Sequence, residues 1–229
     1  MDFTRFQVLT FDCYGTMIDW ESGIFSALRP LLAAHGKTVS DSRILEIYSE
    51  LEPVQQQGRF RPYRQVLETV ARGFGEKLGF VCSDEQARSL PDSLPNWKPF
   101  PDTVPALKRL KTRFKLAVIS NVDDDLFAAS ARQLEVAFDH VITAQQAQAY
   151  KPSLKIFRLA MERIGMPSQN ILHVGQSIYH DVIPAKAMGL STAWMKRASP
   201  RPGAGATVAV SGSPDLEVSD LEQLADLAV

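Results

Sequence analysis

Asp12 closes the short apolar run formed by Val8, Leu9 and Phe11, and Gly15 and Thr16 follow it closely. A run of this length suits a buried strand better than a helix. In an open α/β sheet the carboxyl ends of the strands face the crevice where ligands bind. A carboxylate presented there can attack carbon or phosphorus and form an ester that water then hydrolyses. The Thr16 hydroxyl is close enough to hold the attacking oxygen in line. The competing reading makes Asp12 and Thr16 ordinary caps of the next element.

Three later clusters favour chemistry. Ser120 and Asn121 follow the apolar residues 116–119 and offer a hydroxyl and an amide suited to a carboxylate or phosphate oxygen. Both residues also favour turns. Lys151 precedes Pro152, which biases its backbone away from helix. Its ammonium would offset charge on Asp12 and on an anionic substrate. Gly175, Gln176 and Ser177 follow the apolar residues 171–174, and Asp181 comes a little later.

Asp12, then Ser120-Asn121, then Lys151, then Asp181, each at a strand end or a helix start, resembles the haloacid dehalogenase superfamily over nearly the whole chain. The sequence Asp12-Cys13-Tyr14-Gly15-Thr16 is similar to its 2-haloacid dehalogenase branch, because phosphatase branches usually carry a second Asp where Tyr14 stands. Residues 11–21, 96–103 and 179–181 also resemble the azetidine-2-carboxylate hydrolases, which open a strained C–N ring. The resemblance implies a hydrolase that displaces a leaving group from C2 of a small carboxylic acid. It implies Asp12 as nucleophile, Thr16 and Lys151 as its partners, and Asp181 orienting Lys151 or the hydrolytic water. Tyr14, Ser120, Asn121, Gln176 and Ser177 are expected to contact substrate.

A small-molecule phosphatase is the alternative. A Mg²⁺ site wants several hard oxygens, and Gln176 and Tyr14 stand where the superfamily's phosphatases carry acids. No metal and no cofactor is therefore expected unless that alternative holds. The dehalogenases also tend to carry a halide-receiving arginine, whose place falls near Ser49, where this chain has none. Arg59, Arg61 and Arg64 offer cations from the same region, although three arginines in a polar stretch are commonly solvated. Glu52 would suit an amine better than a halide, with Tyr48 and Phe60 as apolar walls. His173 reads as a satisfied core residue; His180, beside Asp181, is a candidate for positioning water.

The elements that must hold these residues alternate. Apolar residues recur at helical spacing through residues 24–32, 44–51 and 63–74, and Ser40 and Ser83 stand as caps. Residues 17–96 thus read as all-helical, inserted after the first strand. The proline-dense residues 95–101 form the return crossing. Beyond them come a helix capped by Asp102 or Thr103 and a strand at 116–119. An acidic run, 123–125, then stands at a helix start, followed by a strand at 138–143. A helix capped by Ser153 and stopped by Gly165, a strand at 171–174, a helix at 181–188 and a strand at 191–195 follow. A loop at 200–205 and a capping box, Ser219 with Glu222, lead into the last helix. The fold class is α/β: a Rossmann-like parallel sheet core (1–16 and 97–229) with an inserted helical cap subdomain (17–96).

At 229 residues, 45% of them hydrophobic and 22% charged, the chain can bury a full core. A net charge of −1 gives no footprint for nucleic acid or a membrane surface. Two cysteines, Cys13 and Cys82, make no disulfide framework. No signal peptide or membrane span is visible. The expected setting is cytoplasmic, and the expected partners are a small carboxylic acid and at most a second copy of the chain, as a homodimer.

Overall fold

The computed structural model describes residues 1–197 and 210–229; the loop expected at 200–205 lies outside them. Strand β1 is Val8–Phe11, and helices α1 (Trp20–Ala34), α2 (Asp41–Gln55), α3 (Tyr63–Leu78) and α4 (Asp84–Ser93) follow without an intervening strand. Then come α5 (Thr103–Lys111), β2 (Lys115–Ser120), α6 (Asp124–Leu134), β3 (His140–Thr143), α7 (Ala144–Ala147), α8 (Leu154–Ile164) and β4 (Ile171–Gly175). A π-helical turn, Ile178–Val182, runs into α9 (Ile183–Ala187). Strands β5 (Ser191–Met195) and β6 (Leu216–Val218) and helix α10 (Leu221–Ala228) complete the chain.

Among the described residues six strands pair in parallel, in the order β3-β2-β1-β4-β5-β6. Such a sheet is covered on both faces, which is why its strands are near-continuous apolar runs. Every residue of β1 is buried. Chain order reverses direction between β1 and β4, so the crevice outside their carboxyl ends is the expected ligand site. Register fixes what lies there: Phe11 pairs with Val118 on one side and Val174 on the other. The residues just beyond, Asp12, Ile119 and Gly175, therefore lie side by side, and Ser120 follows one position later at the end of β2.

The two crossings between the helical segment and the sheet run together as a short strap. Ile18 bridges Pro99, Asp19 N–H donates to Lys98 O at 2.9 Å, and Phe100 N–H donates to Met17 O at 3.1 Å. Local capping largely follows the sequence. Ser40 and Ser83 cap α2 and α4, the latter in a full capping box with Gln86, and Ser153 caps α8.

Four details differ from expectation. Asp102 does not cap α5; its carboxylate instead accepts from Arg197 Nη1 at 2.7 Å and from Leu221 N at 2.8 Å, tying α5 to α10. The last helix is capped by Asp220, which accepts from Gln223 N at 2.7 Å, so the cap stands one residue after Ser219 and no Ser219–Glu222 box forms among the described residues. The helix at 181–188 starts earlier, at Ile178, as a π turn. Strand β6 was not visible in the sequence, because three residues carry no periodicity and only pairing with β5 makes them a strand. Among the described residues, no helix is long and apolar enough to cross a membrane.

Candidate active site

The β1–β4 ladder continues one residue past the strand, with Asp12 N–H donating to Val174 O at 2.9 Å, so the nucleophile's backbone is fixed by the sheet itself. Its side chain is held from two sides. Lys151 Nζ donates to Oδ1 at 2.7 Å, and Thr16 Oγ1 donates to Oδ2 at 2.9 Å. Gln176 N–H in turn donates to Thr16 Oγ1 at 3.0 Å, so the hydroxyl is oriented towards Asp12. Lys151 is buried and gives its other protons to Asp181 Oδ1 at 2.6 Å and Ile119 O at 3.0 Å. An ammonium has three donors, and all three are used here. The lysine therefore sets charge and position inside the site.

Asp181 is the hub behind Lys151. It also lies 3.2 Å from His173 Nε2 and accepts from Ser177 N at 3.2 Å. His173 Nδ1 lies 2.8 Å from Thr10 Oγ1, its direct neighbour across β1 and β4. His173 is thus a satisfied core residue, as expected. Burial pushes the Asp12 carboxyl up, with Lys151 opposing and Asp181 adding. Burial also acts on Asp181, but Lys151 and His173 outweigh it and hold that carboxyl well below the ordinary range. For Lys151, burial is outweighed by Asp12 and Asp181, which raise it. The group is a buried ion triad, one cation between two carboxylates.

His180 and Asp181, neighbours on the π turn, both line the same cavity. π turns recur at functional sites. The Ser177 hydroxyl accepts the His180 N–H at 3.1 Å and lies 3.2 Å from His180 Nδ1. Burial lowers the His180 pKa to about 4, so the ring is neutral at neutral pH.

The cavity holds about 60 Å³. Its walls are Asp12, Tyr14, Ser120, Asn121, Lys151 and residues 176, 177, 180 and 181 from the sheet side. Trp20, Glu52, Gln56 and Tyr63 line it from the helical segment. Every site residue expected from the sequence is therefore gathered here, Thr16 through its bond to Asp12.

Several of these residues also have partners inside the protein. The Tyr14 hydroxyl is 2.9 Å from Ser130 Oγ and its ring packs edge-on to Trp97, so Tyr14 supplies a wall. The Asn121 amide is used on the Lys151 backbone, accepting from its N–H at 2.6 Å and donating to its carbonyl at 3.2 Å. Ser120 Oγ is buried with no hydrogen-bond partner among the described residues.

Trp20, Gln56 and Tyr63 were not legible as site residues, since Trp20 and Tyr63 begin amphipathic helices, Gln56 stands just after α2, and all three read as core or surface. Tyr48 and Phe60 are not walls. Tyr48 backs Trp20 edge-on, and Phe60 lies against Tyr150. Arg61 bonds Gln55, and Arg64 bonds Asp92 and Asp125. Among the described residues Lys151 is the one cationic side chain lining the cavity.

Glu52 does face the cavity, buried on α2. It accepts from Tyr63 Oη at 3.2 Å and from Gln56 Nε2. Burial pushes its carboxyl up to about 7, with the Tyr63 hydrogen bond opposing. Among the described residues, no group of three or more His, Cys, Asp or Glu is arranged to hold a metal ion. The two carboxylates nearest the nucleophilic centre are both committed to Lys151.

Known proteins give the arrangement its family. A haloacid dehalogenase-like hydrolase family model matches residues 6–189. An (S)-2-haloacid dehalogenase of Pseudomonas fluorescens is 29% identical over 197 residues, covering 83% of this chain and 85% of the relative. A second (S)-2-haloacid dehalogenase, from Pseudomonas putida, is 28% identical over 225 residues, covering 95% and 96%. The crystal structure of the L-2-haloacid dehalogenase of Xanthobacter autotrophicus with chloropropionic acid covalently bound has the same fold. Its TM-score is 0.82 at 22% identity, covering 97% of this chain and 98% of that one. The chain belongs to the haloacid dehalogenase-like hydrolases.

Proposed function

We propose that this hydrolase displaces a halide from C2 of a small carboxylic acid through an ester on Asp12. The observation that carries the reading is the Asp12 carboxylate fixed between Lys151 and Thr16 beside the unspent Ser120 hydroxyl. A buried donor without a partner costs on the order of 1–3 kcal/mol unless a ligand accepts from it. The substrate carboxylate is the group that would do so. A cavity of about 60 Å³ takes roughly four to six water-sized groups, which suits a two- or three-carbon acid.

In the first step an Asp12 oxygen attacks C2, the carbon–halogen bond breaks, and its electron pair leaves with the halide. Lys151 and Asp181 keep their charges while the negative charge of Asp12 is consumed. Water then attacks the carboxyl carbon of the Asp12 ester. The bond from that carbon to the substrate oxygen breaks, and the 2-hydroxy acid leaves carrying one oxygen of Asp12. Asp181 and the neutral His180 are the groups suited to orient the water. Helices α1–α4 act as the cap (residues 17–96), over a core of residues 1–16 and 97–229, and supply the Trp20, Glu52, Gln56 and Tyr63 wall that excludes solvent. The relatives above are named for acting on haloacids, and the ester route accords with the covalently bound chloropropionic acid of the Xanthobacter enzyme.

One observation favours a second leaving group. Glu52 lines the cavity from the helical segment, and among the described residues it forms no ion pair with a cationic side chain. A ring amine, as in azetidine-2-carboxylate, would take a proton or a charge-assisted hydrogen bond from this acid. The halide reading has the support of the relatives, and the amine reading has that of Glu52 and of the resemblance carried by residues 11–21, 96–103 and 179–181.

Single turnover in heavy-oxygen water tests the ester. Label is expected in Asp12, with an unlabelled hydroxy acid released in that first turnover. Asp12→Asn, nearly isosteric, is expected to lower turnover by more than about 10³-fold with an unchanged circular dichroism spectrum. Label appearing directly in the first-turnover product would exclude the covalent route.

A further inference from the structure

Helix α3 begins at Tyr63 without a cap of its own. Pro62 holds the N-cap position and has no side-chain acceptor, so the first N–H groups of a 16-residue helix need partners from elsewhere. They find them 60 residues away. Asp123 Oδ1 accepts from Tyr63 N at 2.8 Å, and Oδ2 accepts from Arg64 N at 2.9 Å. Asp123 is 4% exposed. It occupies the N-cap position of α6, where an Asp would ordinarily cap its own helix, yet it makes no side-chain bond there. Gln145 Oε1 takes the Asp124 N–H of α6 instead, at 2.8 Å. The carboxylate is thus committed to the other side of the cavity.

Its position in the chain gives that commitment a consequence. The four residues 120–123 follow Ile119, whose carbonyl receives Lys151. Ser120 lines the cavity, and Asn121 clamps the Lys151 backbone. At the far end of the contact, Tyr63 lines the cavity and its hydroxyl reaches both Glu52 and Tyr48 at 3.2 Å. The seam continues through Arg64 Nη2 to Asp125 at 3.1 Å and Tyr150 Oη to Arg61 O at 2.7 Å. It lies away from the strap formed by residues 17–19 and 98–100, which carries the covalent crossings.

We propose that Asp123 is a positioning residue: by accepting both leading N–H groups of α3 it holds Tyr63, and through Tyr63 the Glu52 wall, at a fixed height over Asp12. It does not touch the reacting atoms. Its effect on catalysis rests on the displacement chemistry proposed above, whereas its hold on α3 does not. Because wall contacts bind the ground state and the transition state alike, their loss should appear in KM and leave kcat nearly intact.

Hydrogen exchange and steady-state kinetics on Asp123→Ala, Asp123→Asn, Tyr63→Phe and the double variant Asp123→Ala/Tyr63→Phe test this. Exchange at the Tyr63 and Arg64 amides should speed up by about tenfold or more in Asp123→Ala, with the α6 amides unchanged. Asp123→Asn, which keeps a carbonyl acceptor and the side-chain volume, should fall between and secures the test should the alanine variant not fold. On a 2-haloacid, KM should rise about tenfold with kcat within about threefold. The double variant should be no worse than the poorer single one, because Asp123 acts through Tyr63. Unchanged amide exchange, additive losses, or a fall in kcat at constant KM would each overturn the assignment. If no 2-haloacid is turned over by the parent enzyme, the proposed reaction fails and the exchange result alone decides the role of Asp123.

Discussion

A buried acid and a half-buried histidine on opposite walls of the cavity carry opposite proton linkages. Glu52 faces Tyr63 and Gln56, and burial raises it from 4.5 to about 7. Folding then binds a proton between those values, and stability falls as pH rises through that window. His180 faces Ser177, Asp181 and Lys151, and burial lowers it from 6.5 to about 4. Here the unfolded chain holds the proton, and stability falls as pH drops from 6.5 towards 4. The windows overlap and the slopes oppose, so the parent protein should show a nearly flat contribution from this pair between about pH 4.5 and 6.5. Glu52→Gln leaves the His180 linkage alone and should lose stability on acidification through that range, by up to about 3 kcal/mol. His180→Gln should do the reverse and gain. Denaturant titrations at several pH values read both, and parallel profiles for parent and variants would show that neither group is perturbed. The same Glu52→Gln enzyme reports on the leaving group, because an amine needs the acid and a halide does not.

At the level of elements, β4 and the π turn after it are built for close approach. A Cβ on Gly175 would lie 2.4 Å from Asp181 Cγ, so only glycine lets the turn fold back and bring Asp181 onto Lys151. Gly175→Ala should therefore displace the acid while leaving Asp12 in place. We expect a fall in kcat of about 10- to 100-fold, close to that of Asp181→Asn, because a buried charged hydrogen bond is lost in both. Activity kept by Gly175→Ala but lost by Asp181→Asn would mean that the turn adjusts without moving the acid. The helical elements show a different economy. Asp102 and Asp123 both stand at helix starts, and both carboxylates bridge to another helix instead of closing their own.

For the whole molecule, the cavity between the sheet edge and helices α1–α4 carries the triad, an acid wall and one unspent hydroxyl. Dialysis against a chelator should leave turnover unchanged, since Gln176 and Tyr14 stand where metal-binding acids would be needed and Asp12 and Asp181 are held by Lys151. Activity lost to the chelator and restored by Mg²⁺ would return the phosphatase alternative.

The α/β order, the inserted helical segment, the strand-end positions of Asp12 and Ser120 and the helix-start positions of Lys151 and Asp181 were legible from the chain alone. These features rest on short-range signals: apolar runs, helical spacing and capping residues such as Ser40, Ser83 and Ser153 act within a few residues. Tertiary structure decided how each side chain is used. Asn121 serves the Lys151 backbone, Tyr14 is spent on Ser130, and Trp20, Gln56 and Tyr63 become cavity wall. Strand β6 exists only through its pairing. Glu52 is an ordinary acid in the sequence and acquires a pKa of about 7 only by burial. Partnership and desolvation depend on residues tens to more than a hundred positions apart, as between Asp12 and Lys151, and no local pattern encodes them.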